Sequence, residues 1–432
     1  MELSPRYRLR AAMVTLIVGI IMTCVLGVTV LNPSPTQVSA PHSLVDLPEY
    51  RGTKQVTGGD FYTPPANLAG DLAPGTVLKS EPLADAPKGI SASRILYASQ
   101  TAGGVKHVVS ALFVVRTGPA AGPNGRPLIA VAHGTTGNAP GCGVSQAPFT
   151  RGSTGFGTWS QVISGLVGSG YAVVATDYSN MGVAGMPDYL TMQGEAHDVL
   201  DSMRAAYLFA PGELDTSKAA IIGHSQGGHA ALSAAYEAPD YAPELSIKGV
   251  AGLAPAIFPP APLLIKFVQS APDEDASFFL GFISYAINSW SANNPGKLDL
   301  TQFFTPKGMA ALKVGETECL DGTAKAFAGP KKDFIQPNIP TSILALAQEN
   351  FPIYNKYAYP ILIQQGLEDT SVVPGVNLAF ARTSCLLGSD VTLETFPQDI
   401  HSSLLYTGQP ELLNWLNDRM AGKPNISNCG GL

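Results

Sequence analysis

The chain has 432 residues, of which 45% are hydrophobic and 14% are charged, so it carries enough apolar material for a large folded core. That balance excludes an intrinsically disordered protein. The formal net charge of −7 excludes nucleic acid and anionic membrane surfaces as natural electrostatic partners.

The first 40 residues predict an export signal. Three arginines precede an apolar run from Ala11 to Leu31, which an Asn-Pro-Ser-Pro stretch ends. Small residues before position 41 suit a signal peptidase, so we interpret residues 1–40 as a signal peptide cleaved after Ala40. The alternative is an uncleaved membrane anchor, because the apolar run is about long enough to span a bilayer. Either interpretation predicts a secreted or cell-envelope protein.

A proline-rich segment, roughly residues 41–87, is predicted to wrap the surface of the domain that follows it. Strands and helices then alternate along the chain. The predicted strands are 93–99, 106–115, 127–132, 171–176, 219–222 and 247–253, and the predicted helices are 195–209 and 229–235. Alternation of apolar strands with helices predicts an α/β protein with a mostly parallel sheet covered by helices on both faces.

The alternation stops near Pro255, and a mainly helical insertion is predicted from there to residue 352. Strands resume at 359–364 and 391–396, and a terminal helix is predicted over 410–420. One predicted helical face of the insertion is apolar and comprises Phe278, Phe279, Phe282, Ile283, Ala286, Ile287 and Trp290. Most of this face is expected to bury the insertion against the body, and apolar surface left beside a catalytic site would suit acyl chains.

The hexapeptide Gly-His-Ser-Gln-Gly-Gly at 223–228 contains a G-x-S-x-G pattern between an apolar strand and a small-residue helix. Such a strand–turn–helix presents the serine at the carboxyl edge of a parallel sheet, with strained backbone angles that the flanking glycines allow. Ser225 is therefore the candidate nucleophile. The alternative interpretation is a glycine-rich turn that happens to contain serine.

A serine nucleophile needs a base to take its proton and a carboxylate to orient that base. After a G-x-S-x-G turn, the acid and then the base follow along the chain, each in a loop beyond a strand. Of the seven histidines, His401 is the one that follows the last predicted strand, so we assign it as the base. Asp369 follows the strand that ends at Gln364 and is assigned as the acid, with Glu368 as its chief rival.

The oxyanion of the tetrahedral intermediate needs N–H donors. One donor is expected to be the backbone N–H of Gln226, at the start of the helix after the serine. The other is expected in the loop His-Gly-Thr-Thr-Gly at 133–137, where we assign Thr135, with Gly134 as the alternative.

The cysteines predict two disulfides. Cys24 lies in the signal run, and the four that remain are Cys142, Cys319, Cys385 and Cys429, which allow three pairings. No C-x-x-C motif, P-loop, dinucleotide fingerprint or calcium loop occurs in the sequence, and His224 and His229 have the wrong spacing for a helical zinc pair. We therefore expect no metal and no cofactor.

From about Phe61 onward, the sequence resembles the secretory lipases of the α/β-hydrolase superfamily, the fungal lipase-A type and its bacterial relatives. The resemblance is carried by FYTPP at 61–65, PGTVL at 74–78, HGT at 133–135, GHSQGG at 223–228, GLED at 366–369 and Val373-Pro374. It implies an α/β-hydrolase fold with a helical cap insertion. The catalytic domain would comprise residues 41–256 and 353–432, and the cap residues 257–352.

The resemblance also implies a catalytic triad of Ser225, Asp369 and His401. The implied activity is that of a triacylglycerol lipase-like carboxylic-ester hydrolase acting through an acyl-enzyme on lipid or acylglycerol esters. It further implies the disulfides Cys142–Cys319 and Cys385–Cys429. The expected partners are a small-molecule or lipid ester substrate and, transiently, a lipid interface, with no nucleic acid.

Two other functions remain open on the same residues. The first is an acyltransferase or peptidase built on the same scaffold, since the same nucleophile can serve acyl transfer to acceptors other than water. The second is a non-catalytic surface protein with a hydrolase fold. Such proteins usually lack a member of the triad, whereas this sequence contains candidates for all three.

Overall fold

The computed structural model describes residues 60–65, 72–120, 122–149, 156–257, 276–351 and 355–432, except for the side chains of 60 and 156–158. These residues belong to one unit, Pro48–Leu432. The predicted signal peptide or anchor, most of the proline-rich segment and the first part of the insertion lie outside the described residues.

Nine strands of the described chain form one sheet, in the order β1-β2-β3-β5-β4-β6-β7-β8-β9. The strands are β1 (Val77–Pro82), β2 (Ile90–Gln100), β3 (Lys106–Arg116), β4 (Arg126–Ala132), β5 (Ala172–Thr176), β6 (Leu214–His224), β7 (Ile247–Leu253), β8 (Ile361–Gly366) and β9 (Val391–Phe396). Strands β4 to β9 pair in parallel, whereas β1, β2 and β3 pair antiparallel and β3 joins β5 antiparallel. The prediction of a mostly parallel α/β sheet is confirmed.

Ten α-helices are present in the described chain. They are α1 (Phe156–Gly168), α2 (Met192–Phe209), α3 (Gln226–Tyr241), α4 (Ser277–Asn293), α5 (Pro306–Val314), α6 (Leu320–Ala326), α7 (Thr341–Glu349), α8 (Pro374–Leu386), α9 (Leu404–Thr407) and α10 (Gln409–Met420). None of the described helices is long and apolar enough to cross a membrane.

Helices cover both faces of the sheet, as the alternation of side chains along β4 shows. Leu128 and Ala130 join a core cluster with residues of α2, α3 and α8. Ile129 and Val131 point to the other face, where they join a cluster with residues of α1 and α10. Because successive strand residues face opposite sides, a strand this apolar throughout can exist only between two packed layers.

Strand β1 lies inside the segment for which we predicted only a surface-wrapping course. It is an edge strand of the described sheet and is hydrogen bonded to β2 on one side. The backbone groups on its other side face no neighbouring strand of that sheet. An edge position also tolerates the proline at its last residue, Pro82. The sequence signal was weak because the strand is only partly buried and therefore has no continuous apolar run.

Between β7 and β8, the described chain forms the helices α4 to α7, which build a core cluster of their own. Ile283, Ile287 and Trp290 of α4 are buried in it. Phe278 is 49% exposed, so it lies outside the buried part of the predicted apolar face. Tyr189 and Leu190, from the loop before α2, join the same cluster and connect the helical region to the body.

Candidate active site

Ser225 lies at the turn between β6 and α3, with its backbone at φ 57° and ψ −120°. Positive φ is costly for a residue with a side chain and persists only where the surrounding structure enforces it. Its N–H donates to the Leu253 carbonyl at 3.0 Å, and its carbonyl accepts from the N–H of Ala256 at 2.8 Å. These bonds to the end of β7 hold the strained turn in place.

Glycines make the turn possible because neighbouring backbone occupies the space of a side chain. A Cβ on Gly223 would lie 2.0 Å from the Gly227 carbonyl oxygen, and one on Gly227 would lie 1.8 Å from the Ala132 carbonyl oxygen. A Cβ on Gly228 would lie 2.6 Å from the Cα of Pro255. Only glycine fits at these three approaches.

His401 and Asp369 are hydrogen bonded, with 2.7 Å between His401 Nδ1 and Asp369 Oδ2. Asp369 is buried just beyond β8, and its Oδ1 accepts from the backbone N–H groups of Ser371 and Val372 at 2.8 Å each. Burial opposes the ionised form, but the hydrogen bond from His401 and these N–H groups together hold the pKa of Asp369 below its ordinary value. The rival Glu368 is exposed.

His224, the residue before the serine, packs against His401, with 4.4 Å between their ring centroids. Its Nε2 lies 2.9 Å from the backbone carbonyl oxygen of His401, to which it can only donate. Burial, followed by the nearby His401, lowers the pKa of His224 to about 3, so the ring is neutral at ordinary pH. Sequence reasoning excluded His224 as a base but missed this contact, which orients the loop that carries His401.

The two predicted oxyanion residues lie beside Ser225. Gln226 begins α3, where the first N–H groups have no acceptor within the helix. Thr135 follows β4, and its hydroxyl is hydrogen bonded to the Tyr189 hydroxyl at 2.7 Å. The rival Gly134 is also close, since a Cβ on it would lie 3.6 Å from Ser225 Cβ.

Ser225, His401 and Thr135 line one pocket, whose remaining wall is mostly apolar. The other lining residues are Tyr189, Leu190, Ala256, Ile257, Phe279, Phe282, Ile283, Ser371, Val372, Val373 and Val376. Helix α4 supplies three of these residues, so part of the predicted apolar face of the insertion reaches the site. The structure therefore brings all three triad candidates and Thr135 to one place.

The structure contains the disulfides Cys142–Cys319 and Cys385–Cys429, the pairing that the family resemblance implies. The first joins the loop after β4 to the residue that precedes α6. The second joins α8 to the last residues of the chain.

One group of side chains in the described residues has the composition of a metal site. The candidate ligand atoms of His107, Asp188 and Asp198 lie within 4.8 Å of one another. His107 Nε2 and Asp198 Oδ1 are already hydrogen bonded at 2.8 Å, so an ion pair accounts for their approach. We assign no metal to this group.

A model of the secretory lipase family matches residues 153–428. The chain is 28% identical to Lipase 6 of Candida albicans over 292 residues, which cover 60% of this chain and 58% of that protein. It is 27% identical to Lipase 2 of the same organism over 289 residues, with the same coverage. The alignments thus span 58% of the length of these curated relatives.

Solved structures share the fold. Candida antarctica lipase A in its closed state superimposes with a TM-score of 0.68 and 18% identity, covering 85% of this chain and 87% of that one. A ligand-bound form of the rice cell wall degrading esterase LipA from Xanthomonas oryzae gives a TM-score of 0.63 and 19% identity, covering 81% and 99%. These likenesses show an α/β-hydrolase fold.

Proposed function

The chain belongs to the secretory lipase family, and from that premise we propose that it hydrolyses carboxylic esters through an acyl-enzyme formed on Ser225. The observation that carries the proposal is a strained serine that shares one pocket with His401, which is itself hydrogen bonded to Asp369. In this proposal Ser225 is the nucleophile, His401 the general acid–base and Asp369 the group that orients His401.

In the first half-reaction, His401 Nε2 takes the proton of the Ser225 hydroxyl while the serine oxygen attacks the ester carbonyl carbon. Asp369 holds the proton on His401 Nδ1, so Nε2 is left as the basic nitrogen. The backbone N–H groups of Gln226 and Thr135 would stabilise the oxyanion. The intermediate collapses as His401 gives its proton to the departing alcohol oxygen, which leaves Ser225 acylated.

In the second half-reaction, His401 takes a proton from water, and the resulting hydroxide oxygen attacks the acyl carbonyl carbon. The C–O bond to Ser225 then breaks, His401 returns the proton to the serine oxygen, and a carboxylic acid is released. Every proton transfer uses the same ring nitrogen. The mechanism therefore needs no group beyond these residues, the ester and water.

The apolar wall supports esters with an apolar acyl part as substrates. Phe279, Phe282 and Ile283 line the pocket beside Ser225, and each buried CH₂ of an acyl chain would contribute about 0.8 kcal/mol. Lipid or acylglycerol esters fit this chemistry. The predicted export signal, the two disulfides and the family together support action outside the cytoplasm.

The test combines covalent labelling with turnover. A fluorophosphonate probe is expected to label Ser225, and Ser225→Ala is expected to abolish both labelling and cleavage of p-nitrophenyl esters. Ser233→Ala is a matched control, because Ser233 is a buried serine about two helical turns further along α3. Activity across acyl lengths from acetyl to oleoyl defines the preference. Wild-type labelling without turnover of any ester would contradict the hydrolase proposal, and acyl transfer to an added alcohol in preference to water would favour a transferase.

A further inference from the structure

A second carboxylate lies behind the nucleophile and has no role in the mechanism above. Glu195, in the first turn of α2, is completely buried. Its Oε1 accepts from Gln226 Nε2 at 2.8 Å and from the Leu190 N–H at 2.9 Å. Its Oε2 accepts from His229 Nδ1 at 2.7 Å. One buried carboxylate thus joins the elbow helix α3 to the loop before α2.

His229 extends this group of contacts to the helical region. Its Nε2 lies 2.6 Å from the backbone carbonyl oxygen of Asn350, at the end of α7. Both ring nitrogens therefore face oxygen acceptors, a carboxylate on one side and a carbonyl on the other. The Asn350 side chain in turn accepts from the N–H of Met192 in α2 at 3.2 Å. The contacts close a ring between α2, α3 and α7.

Both predicted oxyanion residues are connected to Glu195 through hydrogen bonds. Gln226 is connected directly, because its side-chain amide donates to the carboxylate. Thr135 is reached through Tyr189, whose hydroxyl contacts the Thr135 hydroxyl and whose neighbour Leu190 donates its N–H to Glu195. The backbone at Leu190 has a φ of 51°, an unfavourable value that this hydrogen bond helps to hold.

We propose that Glu195 is a positioning residue that sets the geometry of the oxyanion pocket from behind. It does so by orienting the start of α3 and the loop that bears Tyr189. The inference rests on the proposed function, since it assigns Gln226 and Thr135 as the oxyanion donors. Donors act on the transition state only when they lie at hydrogen-bond distance from the developing charge, so a shift of about 1 Å can cost about 10²-fold in rate.

The first experiment compares Glu195→Ala with Glu195→Gln in the full chain. The alanine variant removes every contact, and we expect kcat to fall about 10²-fold with KM changed little. The glutamine variant retains an oxygen for Gln226 and Leu190, while its amide can donate to His229 Nδ1 in the neutral tautomer of the ring. Glu195→Gln should therefore restore most of kcat, which a role that depended on the negative charge would not allow.

Asp201 supplies the matched control, since it is a buried carboxylate on the same helix. It accepts from Ser99, Arg204 and Tyr241, and Tyr241 is the last residue of α3, at the opposite end of that helix from Ser225. Asp201→Ala should lower the Tm without the loss of kcat. Equal loss of kcat in Asp201→Ala and Glu195→Ala, or wild-type kcat in a folded Glu195→Ala, would overturn the inference.

A more conservative substitution tests the inference if Glu195→Ala does not fold. Gln226→Met keeps the backbone N–H and the side-chain volume but removes the bond to Glu195, and kcat is expected to fall about tenfold. Unchanged kcat in this variant also overturns the inference. The rate of fluorophosphonate labelling serves as a second readout, because it depends on the same pocket without requiring ester turnover. If the wild type cleaves no ester and the variants are nevertheless labelled more slowly than the wild type, the hydrolase proposal is refuted and the inference stands.

Discussion

Two histidine–carboxylate pairs lie on either side of the elbow and share one geometry. The distance from Nδ1 to the carboxylate oxygen is 2.7 Å in both His401–Asp369 and His229–Glu195. The His401 side chain is 20% exposed and lines the pocket, whereas that of His229 is 0% exposed and bonds the Asn350 carbonyl through Nε2. The environment of the second ring nitrogen therefore distinguishes a candidate base from a residue that stabilises the packing of the fold.

Removal of the His401 imidazole, which lines the pocket, should reduce activity more than any other single change. His401→Gln should lower kcat by about 10⁶-fold, because without a base the Ser225 hydroxyl is a poor nucleophile. The measurement is p-nitrophenyl ester hydrolysis against His229→Gln under the same conditions. If both variants lose activity to the same degree, the proposed difference in role between His401 and His229 is wrong.

Replacement of the carboxylate in the pocket pair is expected to have the next largest effect. Asp369→Asn should lower kcat by about 10⁴-fold, since an amide can hold His401 in the tautomer whose Nε2 carries the proton. The lowered pKa of Asp369 keeps it ionised throughout the neutral range, so this loss should not depend on pH there. A loss that disappears as the pH is raised from 6 to 8 would contradict this account.

The fully buried pair should govern stability more than chemistry. His229→Gln removes the His229 hydrogen bond to a fully buried carboxylate and should lower the free energy of unfolding by about 3 kcal/mol, as measured by urea denaturation. Its kcat should fall far less than that of His401→Gln, because Glu195 retains its bonds to Gln226 and Leu190. Unchanged stability would show that the pair is not needed to hold α2 against α3.

A third histidine–carboxylate pair, His107–Asp198, should make a smaller contribution to stability that depends on pH. Burial opposes protonation of His107, but Asp198 outweighs it, with smaller contributions from Asp188 and Asp201, and the pKa rises from 6.5 to about 8. A raised histidine pKa stabilises the fold fully below about pH 6.5, and that contribution is lost as the pH rises through 8. The difference in unfolding free energy between wild type and His107→Gln should therefore shrink by about 2 kcal/mol between about pH 5 and pH 9. A constant difference would argue against the ion pair.

The sequence was sufficient to predict the residues of the pocket pair because their positions follow from chain order. Asp369 and His401 each come directly after a strand of a parallel sheet, and all such strand ends meet at one edge. The sheet itself was predictable for the same reason, since its central strands are continuous apolar runs. Edge strand β1 lacks that pattern and was missed.

The bracing pair could not be predicted in the same way. Glu195 and His229 are 34 residues apart, and their contact exists only because α2 packs against α3. In sequence they are a polar pair on two amphipathic helices, with no motif to connect them. The unusual signal is their burial, since charged side chains are almost never fully buried unless paired, and burial becomes visible only in the folded chain.

The disulfide Cys142–Cys319 closes a covalent ring over a sequence separation of 177. The ring contains the nucleophile, the strands β5 to β7 and the first helices of the insertion. A protease that cuts once anywhere within it, for example in a loop of the helical region, opens the ring without releasing a fragment. The nicked chain remains one molecule until the bridge is reduced, so the oxidised protein can survive in a protease-rich medium a cut that would divide its reduced form.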